Sequence, residues 1–500
     1  MKKIVVLLGI VVFYTTAQGQ YVSDALKYSQ NFPAISARSL GMGGAFTSLG
    51  GDVSSALYNP AGLGLYRKSE IMFTPALSVT NTSADYLGKT NEDSRTHFNL
   101  GSFGYVGTYN SNKDKGLVSA SLGLAYVRQT NLNSKTFIRG NNPTSSLADY
   151  FMGNAEGQYP ENLDAFYERL AFDTYVIDTA PGSPRSYQTP VFLPVDQKKV
   201  IETSGGMGQW SFAMGLNFSN IVYFGAGFGI HQLQYDRNTV HSEFDNNPAH
   251  DFSQFAFYED LTVDGVAYTG NMGMIVRLFK IMRVGGSIQF PASYRIHEHY
   301  YNTMYSQFKN GDNYTAIPTD LNGDAISEGN FEYKLHTPMK VQGGLSVQIG
   351  TMGIISADME YVNYNNLELN PTDYSADFTT ENSNINTIYK SVVNLKAGGE
   401  VRLKNFSFRL GGGYYPSAVE SISSPTIYTY VGNVPDAYTE LSSGLGYRNR
   451  NFFFDFGFSW LAHNEDYNLY TVYFDNNPSV NVANLHQNEF RFLTTMGIRF

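Results

Sequence analysis

Asn488-Glu489-Phe490-Arg491-Phe492-Leu493-Thr494-Thr495-Met496-Gly497-Ile498-Arg499-Phe500 closes the chain with a period of two. Phe490, Phe492, Met496, Ile498 and Phe500 share one face, while Arg491, Thr495, Gly497 and Arg499 share the other. Such a strand has an apolar phase on one side and a polar one on the other. Two settings satisfy it: a soluble sandwich, or the wall of a closed barrel in lipid, where only closure leaves no backbone group unpaired.

The rhythm of the rest of the chain selects the barrel. Alternating runs fall near 70–80, 95–109, 116–129, 207–219, 221–237, 262–278, 280–300, 329–349, 351–366, 387–403, 405–416, 437–448, 451–463 and 487–500, which makes 14 candidate strands. Their connections alternate between short turns (110–115, 219–220, 279, 350, 404–405, 449–450) and long polar stretches. An even strand number with short turns at one end and long loops at the other is the pattern of an all-β, antiparallel outer-membrane barrel with both termini on the periplasmic, short-turn side. Sandwich strands are shorter and lack this rhythm.

Composition agrees. The 500 residues include 37 Tyr, 35 Phe and 48 Gly and no Cys, which suits interfacial aromatic girdles, curved strands and an oxidising compartment. Mean hydropathy is -0.26, far too low for a helical membrane protein but natural where only alternate strand residues meet lipid. The net charge of -10 carries no basic stripe, so nucleic acid is not an expected partner. Met1-Lys2-Lys3, an apolar run from Ile4 to Tyr14, and small residues at Ala17 and Gly19 read as a signal peptide, residues 1–19. Residues 69–500 then form the barrel, and residues 20–68 precede it. A segment of that size at the mouth of a 14-strand lumen is expected to plug it, since the lumen is otherwise an open pore.

Within that segment stand Arg38-Ser39-Leu40-Gly41-Met42-Gly43-Gly44-Ala45-Phe46, a small-residue helix at Asp52-Val53-Ser54-Ser55-Ala56-Leu57 with Asp52 as its expected N-cap, and Tyr58-Asn59-Pro60-Ala61-Gly62-Leu63. Here the sequence resembles the FadL/TodX outer-membrane transporters of long-chain fatty acids and other hydrophobic compounds. The resemblance extends through the strand count to Phe500, but is specific in residues only over the N-terminal segment. It implies that Asn59, Pro60, Ala61 and Gly62 belong to a hatch in the lumen. It further implies that ligand binds first near the extracellular loops, then in an interior pocket, and leaves through hatch movement and a lateral opening in the wall. Passive uptake of hydrophobic or amphipathic small molecules is the function expected on this ground, without a cofactor. Haem receptors and closed structural or adhesive barrels are the alternatives on the same scaffold. Outer-membrane lipid and the barrel-assembly machinery, engaged through the strand ending at Phe500, are the other expected partners.

Candidate binding groups lie in two places. In the longest loop, about 130–206, Leu163, Phe166, Tyr167 and Leu170 are spaced as one face of a short helix over 160–170, and Leu163, Phe166 and Leu170 are expected to form an apolar landing site. In the barrel, carrying the strand register from Arg283 to His299 without a break expects Arg295, His297 and His299 to face the lumen together with Arg277, Arg283, Lys340, Lys396, Arg402, Arg409, Arg491 and Arg499. Facing them are Asp358, Glu360, Glu400 and Asp455. Most of these charges are expected to join wall and plug, with Arg295 as the candidate for a ligand carboxylate. His297 and His299 lack a third ligand, and Asp320-Leu321-Asn322-Gly323-Asp324 departs from calcium-loop spacing, so no metal is expected. The runs Gly225–Gly229 and Gly411–Gly413 sit in no βαβ unit and are read as places where a barrel strand bends or leaves room for a lumen neighbour. No Gly-x-Ser-x-Gly elbow or local nucleophile and base is present, so enzymatic activity is not expected.

Overall fold

The computed structural model describes residues 18–33, 35–372, 376–420, 431–474 and 477–500. Residues 1–17 of the expected signal peptide lie outside the described residues. Fourteen strands close into an antiparallel barrel, because the first, Glu70–Tyr86, pairs with both the second, Lys89–Asn110, and the last, Asn477–Arg499. The circuit continues through Leu117–Asn131, Val195–Phe218, Val222–Phe244 and Phe252–Leu278, then through three interrupted strands, then through Ser391–Leu403, Phe406–Tyr415, Tyr438–Arg448 and Phe452–Phe474. Strands occupy all fourteen expected places. The strands run further than expected at the long-loop end: a turn at Leu87–Gly88 joins the first two, where a polar loop was expected.

The closing strand keeps its expected register. Met496 and Ile498 face outward, whereas Arg491, Leu493 and Thr495 are buried inside. On the sixth strand, Phe252–Leu278, the outward residues are apolar from Val266 through Tyr268 and Met272 to Met274, and turn acidic at Asp264. The apolar positions continue through Val276 to Leu278, and this dozen residues at about 3.3 Å each, tilted by about 40°, spans roughly 30 Å, the thickness of a hydrocarbon core. Phe228 stacked on Tyr268, and Tyr126 against Trp210, mark one edge of the band; Phe279, Phe406, Phe452 and Phe500 mark the other.

The three interrupted strands correct the expected register. The seventh is Met282–Gln289 and Ser293–Phe308; the eighth is Gly329–His336 and Lys340–Ile349; the ninth is Gly353–Asn363 and Glu368–Pro371. Gln289 pairs with Asn271 and Ser293 with Tyr268, so four steps on the seventh strand match three on the sixth. One extra residue at Phe290-Pro291-Ala292 turns every later side chain to the opposite face. Arg283 and Ser287 therefore point inward as expected, but Arg295, His297 and His299 point outward while Tyr294, Ile296 and Glu298 are buried inside. The physical reason is the change in where the apolar residues lie on the two sides of the interruption. Below the interruption the apolar face (Val284, Ile288) is exposed on the outside, and above it the apolar face (Tyr294, Ile296) packs into the interior. The eighth strand changes faces in the same way, with Lys340 and Ser346 inward below and Tyr333 and Leu335 inward above.

Charge in the lower lumen is paired. Arg409, fully buried, lies 2.7 Å from Glu400 and 2.7 Å from Asp455; Arg38 of the N-terminal segment reaches the same Glu400 at 3.1 Å, and Arg448 reaches Asp455 at 3.1 Å. Removing one member of a buried pair leaves its partner uncompensated, which typically costs about 3–5 kcal/mol. Glu400→Gln, which takes from the buried Arg38 the one carboxylate it pairs with among the described residues, is expected to lower the unfolding free energy of the detergent-solubilised barrel by that order, and adding Arg38→Met is expected to recover part of the loss. An unchanged unfolding free energy for Glu400→Gln would show that water screens this cluster.

Candidate functional site

The N-terminal segment fills the lower lumen. It comprises the helices Gln18–Lys27, Ala37–Gly41 and Ser55–Tyr58 and the 3-10 turn Pro60–Leu65. Ser36 caps the second helix, accepting from the Ser39 amide at 3.0 Å. Asp52, expected as a helix N-cap, instead accepts from Ser36 Oγ at 3.0 Å and from the Ser54 amide at 3.0 Å, and the helix begins after Ser54. Asn59 caps the 3-10 turn by accepting from the Ala61 amide at 3.1 Å, and its amide donates to the carbonyls of Thr47 (2.7 Å), Met274 (3.2 Å) and Gly286 (3.3 Å). Asn59, Pro60, Ala61 and Gly62 are all buried against the wall.

The wall has glycine where this segment touches it. A Cβ at Gly225 would overlap the Pro60–Ala61 peptide, one at Gly411 or Gly398 would overlap Met42 and Gly43, and one at Gly285 would overlap Thr47. Of the two glycine runs, Gly225 and Gly411 leave room for the N-terminal segment, whereas Gly227, Gly229, Gly412 and Gly413 meet atoms of the wall itself. Ala37 donates its amide to Thr495 Oγ1 at 2.8 Å and Thr47 to Asp358 at 2.7 Å, so residues 36–65 are seated in the barrel by both shape and hydrogen bonds.

Above that seat lies a cavity of about 240 Å³. One side is the first helix with the chain after it, through Leu26, Lys27, Gln30 and Phe32; the other is wall, through Thr80, Asn131, Ile201, Tyr235, Tyr438, Leu461, Glu465, Tyr467, Leu485, Glu489 and Arg491. The first helix is anchored on its far side by Tyr294, Ile296, Tyr333 and Leu335, which the strand interruptions turn inward, and by Ile385, Ile388 and Tyr389 from a loop helix, Thr379–Ile388, and its C-cap. Tyr389 Oη donates to the Val22 carbonyl at 2.7 Å.

The long connection between the third and fourth strands caps the outer mouth. Leu147, Phe151, Leu163, Leu170 and Ile177 pack with Tyr86, Phe252, Phe257, Tyr470 and Leu485 of the strand tops. Glu243, fully buried, fastens it: its carboxylate accepts from the Leu147 amide (2.8 Å), from Gln197 (2.8 Å) and from Ser146 Oγ, with His241 Nε2 at 3.0 Å. This latch was not legible in the sequence, since His241 and Glu243 carry only the spacing of any inward pair on a strand.

The expected landing helix over 160–170 is absent as one piece. A 3-10 turn, Pro160–Asn162, is separated from a short helix, Glu168–Asp173, because the Asp164 carboxylate accepts from the Phe166 amide at 2.8 Å and turns the backbone. Leu163 and Leu170 are buried in the cap rather than presented outward, and Phe166 packs edge-on against Tyr300 with ring centroids 4.9 Å apart. Arg295 lies on the outer wall, 2.5 Å from Glu332, with His297 3.1 Å from the same carboxylate and His299 3.6 Å from Glu328. None of these six residues lines the cavity. Among the lumen cations named from the sequence, Arg491 does line it.

Two measurements test this arrangement. Gly225→Val is expected to displace residues 58–62 and expose the segment to protease, while Gly153→Ala, in open space on a loop helix, leaves it protected. In the cap, burial pushes the Glu168 carboxyl up from 4.5 to about 7. The folded loop then holds a proton that the unfolded loop has released, so its stability is greatest below pH 4.5 and falls as the pH rises to about 7, by up to about 3 kcal/mol. Proteolysis of the cap is therefore expected to be slower at pH 5 than at pH 8, and Glu168→Gln is expected to remove the difference.

No protein-family model matches the chain, and no curated protein matches it in sequence. Solved structures do match it over nearly its whole length. A Pseudomonas aeruginosa FadL homologue is similar with a TM-score of 0.56 at 12% identity, covering 94% of this chain and 99% of that one. The Pseudomonas putida toluene transporter TodX gives 0.50 at 12% identity, covering 94% and 100%. The Ralstonia pickettii toluene transporter TbuX gives 0.50 at 13%, covering 93% and 98%. With sequence identity this low and coverage this complete, what is shared is the architecture: the chain has the FadL/TodX barrel fold.

Proposed function

We propose that the protein is an outer-membrane channel of a Gram-negative bacterium for the passive uptake of hydrophobic or amphipathic small molecules, with both termini periplasmic. The observation that carries this reading is the cavity of about 240 Å³ in the lumen, lined by the first helix and the wall, inside a barrel with an apolar outer band. Leu26, Phe32, Leu461 and Leu485 give it apolar surface, and Asn131, Gln487 and three tyrosines give it polar edges. Residues 20–68 act as the hatch. Residues 36–65 are socketed into wall glycines, so the part that moves is the first helix and the chain to Phe32, which rest on apolar side chains and few hydrogen bonds. The two transporters of toluene that share the fold support a hydrophobic cargo. Assembly through the strand ending at Phe500 makes the barrel-assembly machinery the expected partner.

The exit is sideways. The second strand pairs with the first from Lys89 to Val106 but with the third only from Ser102 to Asn110. Above Ser102 no backbone ladder joins residues 89–101 to the third strand among the described residues, and only side chains bridge the gap, such as Lys135 to Asp93 at 3.5 Å. Phe98 and Leu100 stand exposed on the outer side of this seam, while Thr130 and Asn131 on the third strand line the cavity. A ligand of the cavity is thus one wall away from lipid.

A haem receptor is the weaker reading, because His297 and His299 face away from the cavity. Vesicles containing the purified barrel are expected to take up labelled oleate or toluene faster than empty vesicles. Leu461→Trp, which fills part of the cavity, is expected to cut the rate about tenfold without changing the folded fraction. Deleting residues 20–62 is expected to add leakage of hydrophilic solutes. Equal rates in empty and protein-bearing vesicles would refute the channel.

A further inference from the structure

The chain as a whole is acidic, with 34 Lys and Arg against 44 Asp and Glu, yet its short-turn end is basic. Lys113 and Lys115 stand on the first turn, Lys280 on the third, Lys404 on the fifth and Arg450 on the sixth, and all five are exposed. Arg67 and Lys68, exposed where the chain approaches the first strand, extend the series and bond only to the side-chain oxygens of Asn220 and Asn451. None of these seven cations forms an ion pair among the described residues, whereas the acids nearby are already engaged: Glu70 by Arg499 at 2.6 Å, Asp455 by Arg409 and Arg448, and Glu400 by Arg38 and Arg409. Asp114 is the one exposed carboxylate side chain among the described residues of these turns.

Four of the seven cations have an apolar neighbour that faces out at the same height. Phe279, 85% exposed, precedes Lys280 in a turn where both residues have positive φ. Leu403 and Phe406 flank Lys404, Leu117 follows Lys115, and Phe452 follows Arg450. In water an 85%-exposed phenylalanine beside a lysine gains nothing. At the boundary of a bilayer the ring sits at the acyl edge and the ammonium reaches the phosphates.

We propose that the short-turn rim is a docking ring for anionic phospholipid headgroups of the leaflet it faces. The cations lie just beyond the apolar band, Asp114 is the one exposed carboxylate side chain beside them among the described residues of the turns, and they are spaced around the rim rather than gathered in one pocket, which fits a shell of lipids rather than one bound molecule. Attraction of a basic residue to an anionic leaflet favours association by about fivefold per cation at low salt and is screened within a Debye length.

The proposal rests on the membrane reading above, not on transport. The test places the full-length barrel in phosphatidylcholine vesicles with spin-labelled phosphatidylglycerol or spin-labelled phosphatidylcholine as probe, and reads the fraction of each immobilised at the protein. At least a threefold preference for phosphatidylglycerol is expected, falling to parity in 0.5 M salt and in the combined variant Lys115→Gln, Lys280→Gln, Lys404→Gln and Arg450→Gln. Lysine-to-arginine changes at the first three positions are expected to keep it. A barrel that incorporates but shows no preference, as it would if the rim instead serves an acidic protein, overturns this proposal alone; an unchanged preference in the glutamine variant does the same. A chain that fails to incorporate into vesicles overturns the membrane reading with it.

Discussion

Backbone pairing in lipid is the constraint from which the rest of this structure follows. A sheet that exposes its outer face to hydrocarbon is destabilised by any edge it leaves, because each unsatisfied amide or carbonyl there costs several kcal/mol, and the unladdered stretch at 89–101 beside the third strand is the exception that marks the proposed exit. The first and last strands pair from Glu70 to Asp85 with a break at Thr74 and Pro75, and the closure continues past them, where Ser69 and Phe500 exchange amide and carbonyl at 3.1 Å in both directions. Both ends of the barrel chain are thereby fixed at the short-turn end. What precedes Ser69 has one direction in which to find cover, which is into the lumen.

Filling that lumen then shapes the wall. Fourteen strands enclose more space than their own inward side chains occupy, and the N-terminal segment brings its backbone almost into contact with the sheet. Glycine at positions 225, 285, 398 and 411 is what allows it. Polar satisfaction accompanies this fit: one Asn59 amide serves carbonyls from the segment itself and from two neighbouring strands. A plug held this way resists removal as a block, so a passage that opens on ligand arrival has to involve the more weakly bonded first helix.

Legibility in the sequence follows the same physics. The last strand could be read directly because nothing interrupts its alternation and one face meets lipid along much of its length. The seventh could not. Pro291 was visible, but the extra residue it accompanies is defined only by comparison with the partner strand, where 268 to 271 must be matched. Beyond that point the apolar face belongs to the interior and not to lipid, so Arg295 kept its periodicity and lost its meaning. The helix over 160–170 failed for a different reason: its spacing was helical, but a side-chain acceptor at Asp164 offered the backbone a competing turn. The cavity was out of reach altogether, since its lining comes from the first helix and from many separated strands and loops, and alternation reports face but not height.

The composition of that cavity limits what the proposed channel can recognise. Three cations line it, and each is committed: Lys27 to Asp24 at 2.6 Å, Arg491 to Glu440, Ser459 and the Phe32 carbonyl, and Arg237 in contacts of its own. Two carboxylates, Glu465 and Glu489, line it as well. A ligand carboxylate entering here would have to displace an existing partner while lying near like charge, a costly exchange in a site of low dielectric. Apolar surface, amide side chains and the hydroxyls of Tyr235, Tyr438 and Tyr467 are what remains on offer. Discrimination in such a site rests on shape and on a few neutral hydrogen bonds.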